Sequence, residues 1–143
     1  MMARKIPQKT NGKLKLLIVD DEPPIRTLLA QILTRSGYRV RSCAGGLSAL
    51  SEIGRETPDI LLSDLHMPGM SGFELLALVR QRFPEIKTIA MSGAYPGNDI
   101  PAAVVADAFY GKGTHVQALT QILDAQETSA RSTIRTNKGV ASK

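Results

Sequence analysis

The chain has 143 residues, 43% hydrophobic and 22% charged, the balance of one soluble globular domain with its own core. No apolar run approaches the ~20 residues of a membrane span, and the lone Cys43 excludes an internal disulfide and suits a reducing, cytoplasmic setting. The net charge of +5 belongs to the ends: residues 1–15 carry +5 and residues 126–143 carry +3, whereas residues 16–125 carry −3, so the charge argues against direct nucleic-acid binding by the foldable part.

Residues 1–13 read as a basic N-terminal extension. Leu14 to Val19 is a short apolar run stopping at Asp20, the pattern of a strand buried on both faces. Pro23 and Pro24 can open a helix, and Ile25, Leu28, Leu29, Ile32 and Leu33 follow at the spacing of one helix face, with Gly37 as a left-handed stop. Tyr38 to Ser42 is a second strand, Leu47 to Arg55 a second helix, and Asp59 to Ser63 a third strand ending at Asp64. Ser71 and Glu74 form a capping-box pair ahead of a helix through Leu75, Leu76, Val79 and Arg80.

Ile86 to Met91 is the fourth strand. Asp99, Ile100 and Pro101 open a short fourth helix through Val105, and Ala106 to Tyr110 is the fifth strand. Thr114 with Gln117 can cap a last helix through Val116, Leu119, Ile122 and Leu123. Periodicity ends after Ala125, so one domain is expected over 14–125 and a disordered tail over 126–143. Strict alternation of five strands and five helices implies a parallel sheet with helices on both faces.

In such sheets ligands bind beyond the carboxyl ends of the strands. The first strand delivers Asp20, Asp21 and Glu22 there, the third Asp64, the fourth Ser92, and the loop after the fifth Lys112. Converging carboxylates resist ionisation unless a cation compensates them. Hard oxygen donors suit Mg²⁺, and two histidines with one cysteine make a zinc site a poor fit. A lysine beside such a metal suits an arriving anion: the two cations neutralise phosphoryl oxygens while a carboxylate attacks.

The strings Leu-Leu-Ile-Val-Asp20-Asp21-Glu22, Leu-Leu-Ser-Asp64-Leu-His-Met67-Pro68-Gly-Met-Ser-Gly72, Ala-Met-Ser92-Gly93 and Gly-Lys112 resemble the receiver domains of bacterial response regulators over about residues 14–124. The resemblance implies a (βα)5 flavodoxin-like fold with strand order 2-1-3-4-5. It further implies that Asp64 accepts a phosphoryl group from a sensor histidine kinase or histidine phosphotransfer protein. Asp20, Asp21, Asp64 and the backbone carbonyl of His66 would hold Mg²⁺. Ser92 and Lys112 would bind the phosphoryl oxygens, Gly93 would leave them room, and Pro68 and Gly72 would shape the acceptor loop. Ser92 and Phe109 would form the conformational switch. Glu22 reads as a charge favouring the helix N-terminus rather than as a ligand, and Phe109 equally suits plain core.

Two departures from the family pattern stand out. Gly113 follows Lys112 where the family has proline, which loosens that loop. The fourth helix, around Tyr95, Pro96, Gly97 and Pro101, is expected to be short or irregular, which puts the family's usual output face in doubt. His66 and Ala94 occupy positions that in the family tune the lifetime of the phosphoryl group.

Three other classes compete with a stand-alone phospho-acceptor. A haloacid-dehalogenase-like phosphatase needs a second acid two residues after its nucleophile, where this chain has His66. A DNA-binding regulator needs an output module, so that reading makes the chain a receiver fragment. A degenerate, phosphate-independent receiver acting as an interaction module would have no need of the intact acids, Ser92 and Lys112.

Overall fold

The computed structural model describes residues 14–93, 104–112 and 114–141, with side chains described as far as Thr128. The elements in chain order are β1 (Lys15–Val19), α1 (Pro23–Arg35), β2 (Arg39–Cys43), α2 (Gly46–Arg55), β3 (Ile60–Asp64), α3 (Gly72–Arg82), β4 (Lys87–Ser92), β5 (Ala108–Gly111) and α4 (Val116–Ala141). The strands form one parallel sheet in the order β2-β1-β3-β4-β5, as expected. The order reverses at β1, which places the ends of β1 and β3 side by side.

Alternation along the strands builds two cores. Leu16, Ile18, Ile60, Leu62, Ile89, Met91 and Tyr110 face Leu29 and Leu33 of α1 and Leu119 and Leu123 of α4. Leu17, Val19, Leu61, Ala90 and Phe109 face Ala49 and Ile53 of α2 and Leu75, Leu76 and Val79 of α3. The central strands are apolar on both faces because helices cover both. Edge strand β2 instead carries Arg39 and Arg41, charges that blunt an open edge.

Local signals hold where they are strongest. Gly37 sits at φ +100° after α1. Ser71 caps α3 through the Glu74 amide, and the Glu74 carboxylate accepts from the Ser71 amide, closing the capping box. Side-chain brackets that no local pattern announces set the strand starts. Asp59 accepts from the Lys15 amide at 2.8 Å, and Asp107 accepts from the Thr88 amide at 2.8 Å and its hydroxyl at 3.2 Å. The second bracket fixes the register of β5 against β4, and with it the height of Lys112.

Three expectations need comment. The tail expected to be disordered over 126–143 is instead helical to Ala141, as a continuation of α4. Residues 126–138 contain no proline or glycine, and Glu127 accepts a hydrogen bond from Tyr38 at 3.1 Å, tying the continuing helix to the start of β2. Thr114 does not cap α4; its hydroxyl donates to the Gly111 carbonyl at 2.7 Å, closing a turn before the helix. The expected fourth helix falls mostly outside the described residues, and Val104 and Val105, which are described, are not helical.

Candidate functional site

The carboxyl ends of β1, β3, β4 and β5 meet at a cleft of about 500 Å³ lined by Asp21, Glu22, Ile25, Asp64, His66, Ser92, Gly93 and Lys112. Asp20 follows β1 and is fully buried; its Oδ1 accepts from the Glu22 amide at 2.9 Å, turning the chain into α1. Asp64 ends β3 and is 4% exposed, its Oδ1 taking the His66 amide at 3.4 Å. Ser92 ends β4, is buried, and its carbonyl accepts from the Lys112 amide at 3.0 Å.

The Lys112 ammonium reaches across the cleft. Its Nζ lies 2.9 Å from Asp20 Oδ2, 3.0 Å from Asp64 Oδ2 and 3.2 Å from Glu22 Oε1. One cation thus serves three carboxylates drawn from two strand ends.

Oxygens of Asp20, Asp21 and Asp64 lie within 4.8 Å of one another, close enough to share a metal ion. Asp20 Oδ2 is buried and makes no well-aligned hydrogen bond, although the Lys112 charge stands 2.9 Å away. A buried carboxylate oxygen left with spare lone pairs beside two further acids is what a hard, oxygen-seeking cation such as Mg²⁺ fits. The His66 ring rests edge-on against Phe73 at 5.8 Å, which suits a wall of the cleft mouth better than a metal ligand.

Burial pushes the Asp64 carboxyl above the ordinary carboxylate range; the Lys112 hydrogen bond and charge oppose this, and the Asp20 charge adds to it. Burial works against the Lys112 ammonium too, but its hydrogen bonds and Coulombic attraction to Asp20 and Asp64 outweigh that and hold it above the usual lysine value. Cys43 is half-buried, its thiol pushed up chiefly by burial, so it stands as a poor nucleophile.

The raised Asp64 value means that the folded carboxyl holds its proton more tightly than the unfolded one, so ionising it costs the fold stability. The cost is absent below the unfolded value near 3.8, grows as pH rises, and is complete above the folded value. Asp64→Asn should therefore melt above the wild type at neutral pH in metal-free buffer. The gap should close below about pH 4. Thermal melts with chelator across that range check this, and a gap that is constant with pH would refute it.

The structure brings Asp20, Asp21, Asp64, Ser92, Gly93 and Lys112 to one place, as their strand-end positions predict. Pro68 is exposed on the acceptor loop, where the turn itself is made by Gly69 at φ +75°. Phe109 is 4% exposed and packs on the α2–α3 face. Ala94 and Gly113 lie outside the described residues. Sequence reasoning misses two contacts: Glu22 with Lys112, and Arg26, whose guanidinium donates to the Asp20 carbonyl at 2.6 Å. The acidic string hints at the first; no spacing rule announces the second.

Residues 16–130 match the family model of the response regulator receiver domain. The DNA-binding transcriptional regulator NtrC of Klebsiella pneumoniae is 40% identical over 89 residues, which are 62% of this chain and 18% of that protein. Sporulation initiation phosphotransferase F of Bacillus subtilis is 40% identical over 78 residues, which are 54% of this chain and 63% of that protein. This chain therefore matches under a fifth of NtrC's length and just under two thirds of the phosphotransferase's. Among solved structures, the response regulator TrrA of Thermotoga maritima in complex with Mg²⁺-BeF superposes with a TM-score of 0.73 at 28% identity, covering 78% of this chain and 97% of TrrA. TrrA in complex with the histidine kinase ThkA gives 0.72 at 29% identity, with the same coverage.

Proposed function

This chain belongs to the response regulator receiver domain family of two-component signalling, and on that premise we propose that Asp64 accepts a phosphoryl group in a Mg²⁺-dependent reaction. The observation that carries the proposal is the single ammonium of Lys112 held at 3.0 Å from Asp64 and 2.9 Å from Asp20 at the floor of an acidic cleft. Asp20, Asp21, Asp64 and the His66 backbone carbonyl would hold Mg²⁺, which supplies positive charge to the phosphoryl oxygens. An Asp64 carboxylate oxygen forms the new bond to phosphorus as the bond from phosphorus to the donor breaks, its electron pair leaving with the donor group. Lys112 exchanges carboxylate oxygens for phosphoryl oxygens, and exposed Gly93 leaves them space.

Ser92 and Phe109 would carry the signal. They stand on neighbouring strands in register, with Ala90 opposite Phe109 and Ser92 opposite Gly111. A hydroxyl drawn toward the phosphoryl group disturbs the strand end against which the aromatic ring packs. The donor would be a sensor histidine kinase or a histidine phosphotransfer protein in a phosphorelay, a reading supported by TrrA's complex with a histidine kinase. No described helix is long and apolar enough to cross a membrane; the proposed histidine-kinase or phosphotransfer donor places the reaction in the cytoplasm.

Intact-protein mass spectrometry after incubation with Mg²⁺ and acetyl phosphate tests the proposal. The wild type should gain one phosphoryl adduct that does not form when Mg²⁺ is chelated beforehand, and Asp64→Asn should gain none. A folded, Mg²⁺-binding wild type without adduct would favour the degenerate receiver instead. A second reading, the receiver part of a DNA-binding regulator, is favoured by the likeness to NtrC. A reading frame continuing past Lys143 into a DNA-binding module would decide for it.

A further inference from the structure

Glu22 is the outermost carboxylate of the site. Its side chain is 56% exposed, against 0% for Asp20 and 6% for Asp64, yet its Oε1 lies 3.2 Å from the same Lys112 ammonium that those two buried acids share. Its backbone is pinned, because the Glu22 amide donates to Asp20 Oδ1 at 2.9 Å. The residue is therefore anchored at the mouth of the cleft, with its carboxylate at the exposed end. Arg26, a further cation at this end of β1, has its guanidinium on the Asp20 carbonyl.

We propose that Glu22 is a charge gate that sets donor specificity at this cleft, disfavouring small donors in proportion to their negative charge. The inference rests on the reading of Asp64 as phosphoryl acceptor and goes beyond it. An arriving phosphoryl group has to pass the Glu22 carboxylate and take Lys112 from it before the Asp64 oxygen–phosphorus bond can form and the donor bond can break. Asp20 and Asp64 are buried and remain part of the floor whatever the donor. Glu22 contributes one further negative charge where the donor enters, and its repulsion scales with the donor's charge. Across several ångströms of solvent-accessible space, one unit charge changes an encounter by about threefold, and salt screens the effect.

The test compares initial rates of Asp64 labelling, read by intact mass, for the wild type and Glu22→Gln at saturating Mg²⁺. The donors are acetyl phosphate, a dianion near neutral pH, and phosphoramidate, whose net charge is one unit smaller. Glu22→Gln should accelerate both, with acetyl phosphate gaining about threefold more than phosphoramidate, and the difference should shrink toward nothing in ~0.5 M salt. Equal acceleration of both donors, no acceleration, or a difference that survives salt would overturn the charge gate while leaving the acceptor reading intact. An unlabelled wild type, or equal labelling of Asp64→Asn, would instead overturn the acceptor reading and this inference with it.

Discussion

Lys112→Met is expected to slow phosphoryl transfer to Asp64 by on the order of 10²-fold, because it removes the fixed positive charge that faces the reacting group. Methionine keeps much of the aliphatic length, so the walls of the cleft change little, and the loss is electrostatic. The Lys112 side chain is 13% exposed and its Nζ sits within 3.2 Å of three carboxylates, so water cannot replace it cheaply. Its removal also takes away the cation that Asp20 and Asp64 share, and Asp64, already raised by burial, loses the interaction that opposes that rise. The variant should therefore lose stability in chelator and recover more of it on adding Mg²⁺ than the wild type does. Single-turnover labelling at saturating acetyl phosphate, with melts in Mg²⁺ and in chelator, measures both. A labelling rate within about threefold of wild type would reduce Lys112 to a structural ion pair.

What local pattern can encode was legible from the chain itself. The run from Leu14 to Val19 stopping at Asp20, the Ser71–Glu74 cap and the stop at Gly37 depend on neighbours within a few residues, and each appears where expected. Because a parallel sheet collects its strand ends at one rim, the positions of Asp20, Asp64, Ser92 and Lys112 followed from strand register alone. Contacts between distant side chains did not follow. The Glu22–Lys112 pair joins residues 90 apart, and the Thr88–Asp107 bracket joins residues 19 apart, so neither leaves a spacing to find. Phe109 fits core and switch equally in sequence, since a buried strand wants an aromatic for either reason; the structure buries it on the α2–α3 face. The tail misled for a different reason. Its polar composition cannot build a core, but residues 126–138 hold no proline or glycine to interrupt α4, and the Glu127–Tyr38 hydrogen bond ties the start of the continuation to β2.

Gly72→Ala should destabilise the domain by about 3 kcal/mol or more, the scale of a strongly overpacked interior position. A methyl group built on Gly72 would stand 1.9 Å from the Asp64 carbonyl oxygen and 2.7 Å from the Leu65 Cα. Both are backbone atoms, so no rotamer change relieves the contact. The Gly72 amide also donates to the Leu65 carbonyl at 2.9 Å, holding the first turn of α3 against the end of β3. Making room means moving α3 away from the sheet, which opens the contact of Leu75, Leu76 and Val79 with the β3 face. Two other glycines serve as controls. At Gly46 the obstruction is Met70, whose Cβ, Cγ and Sδ all stand at 2.8 Å, so relief needs a shift of the Met70 loop as well as a rotamer change; at Gly69 nothing stands within 4 Å, so only the strain of φ +75° remains, costing about 1 kcal/mol. Denaturant midpoints should therefore rank Gly72→Ala far below Gly69→Ala, with Gly46→Ala between them. Because the obstruction is the Asp64 backbone itself, any Gly72→Ala protein that does fold should carry a displaced Asp64 and, on the proposed function, label slowly. A Gly72→Ala midpoint equal to that of Gly69→Ala would show that this contact is not tight.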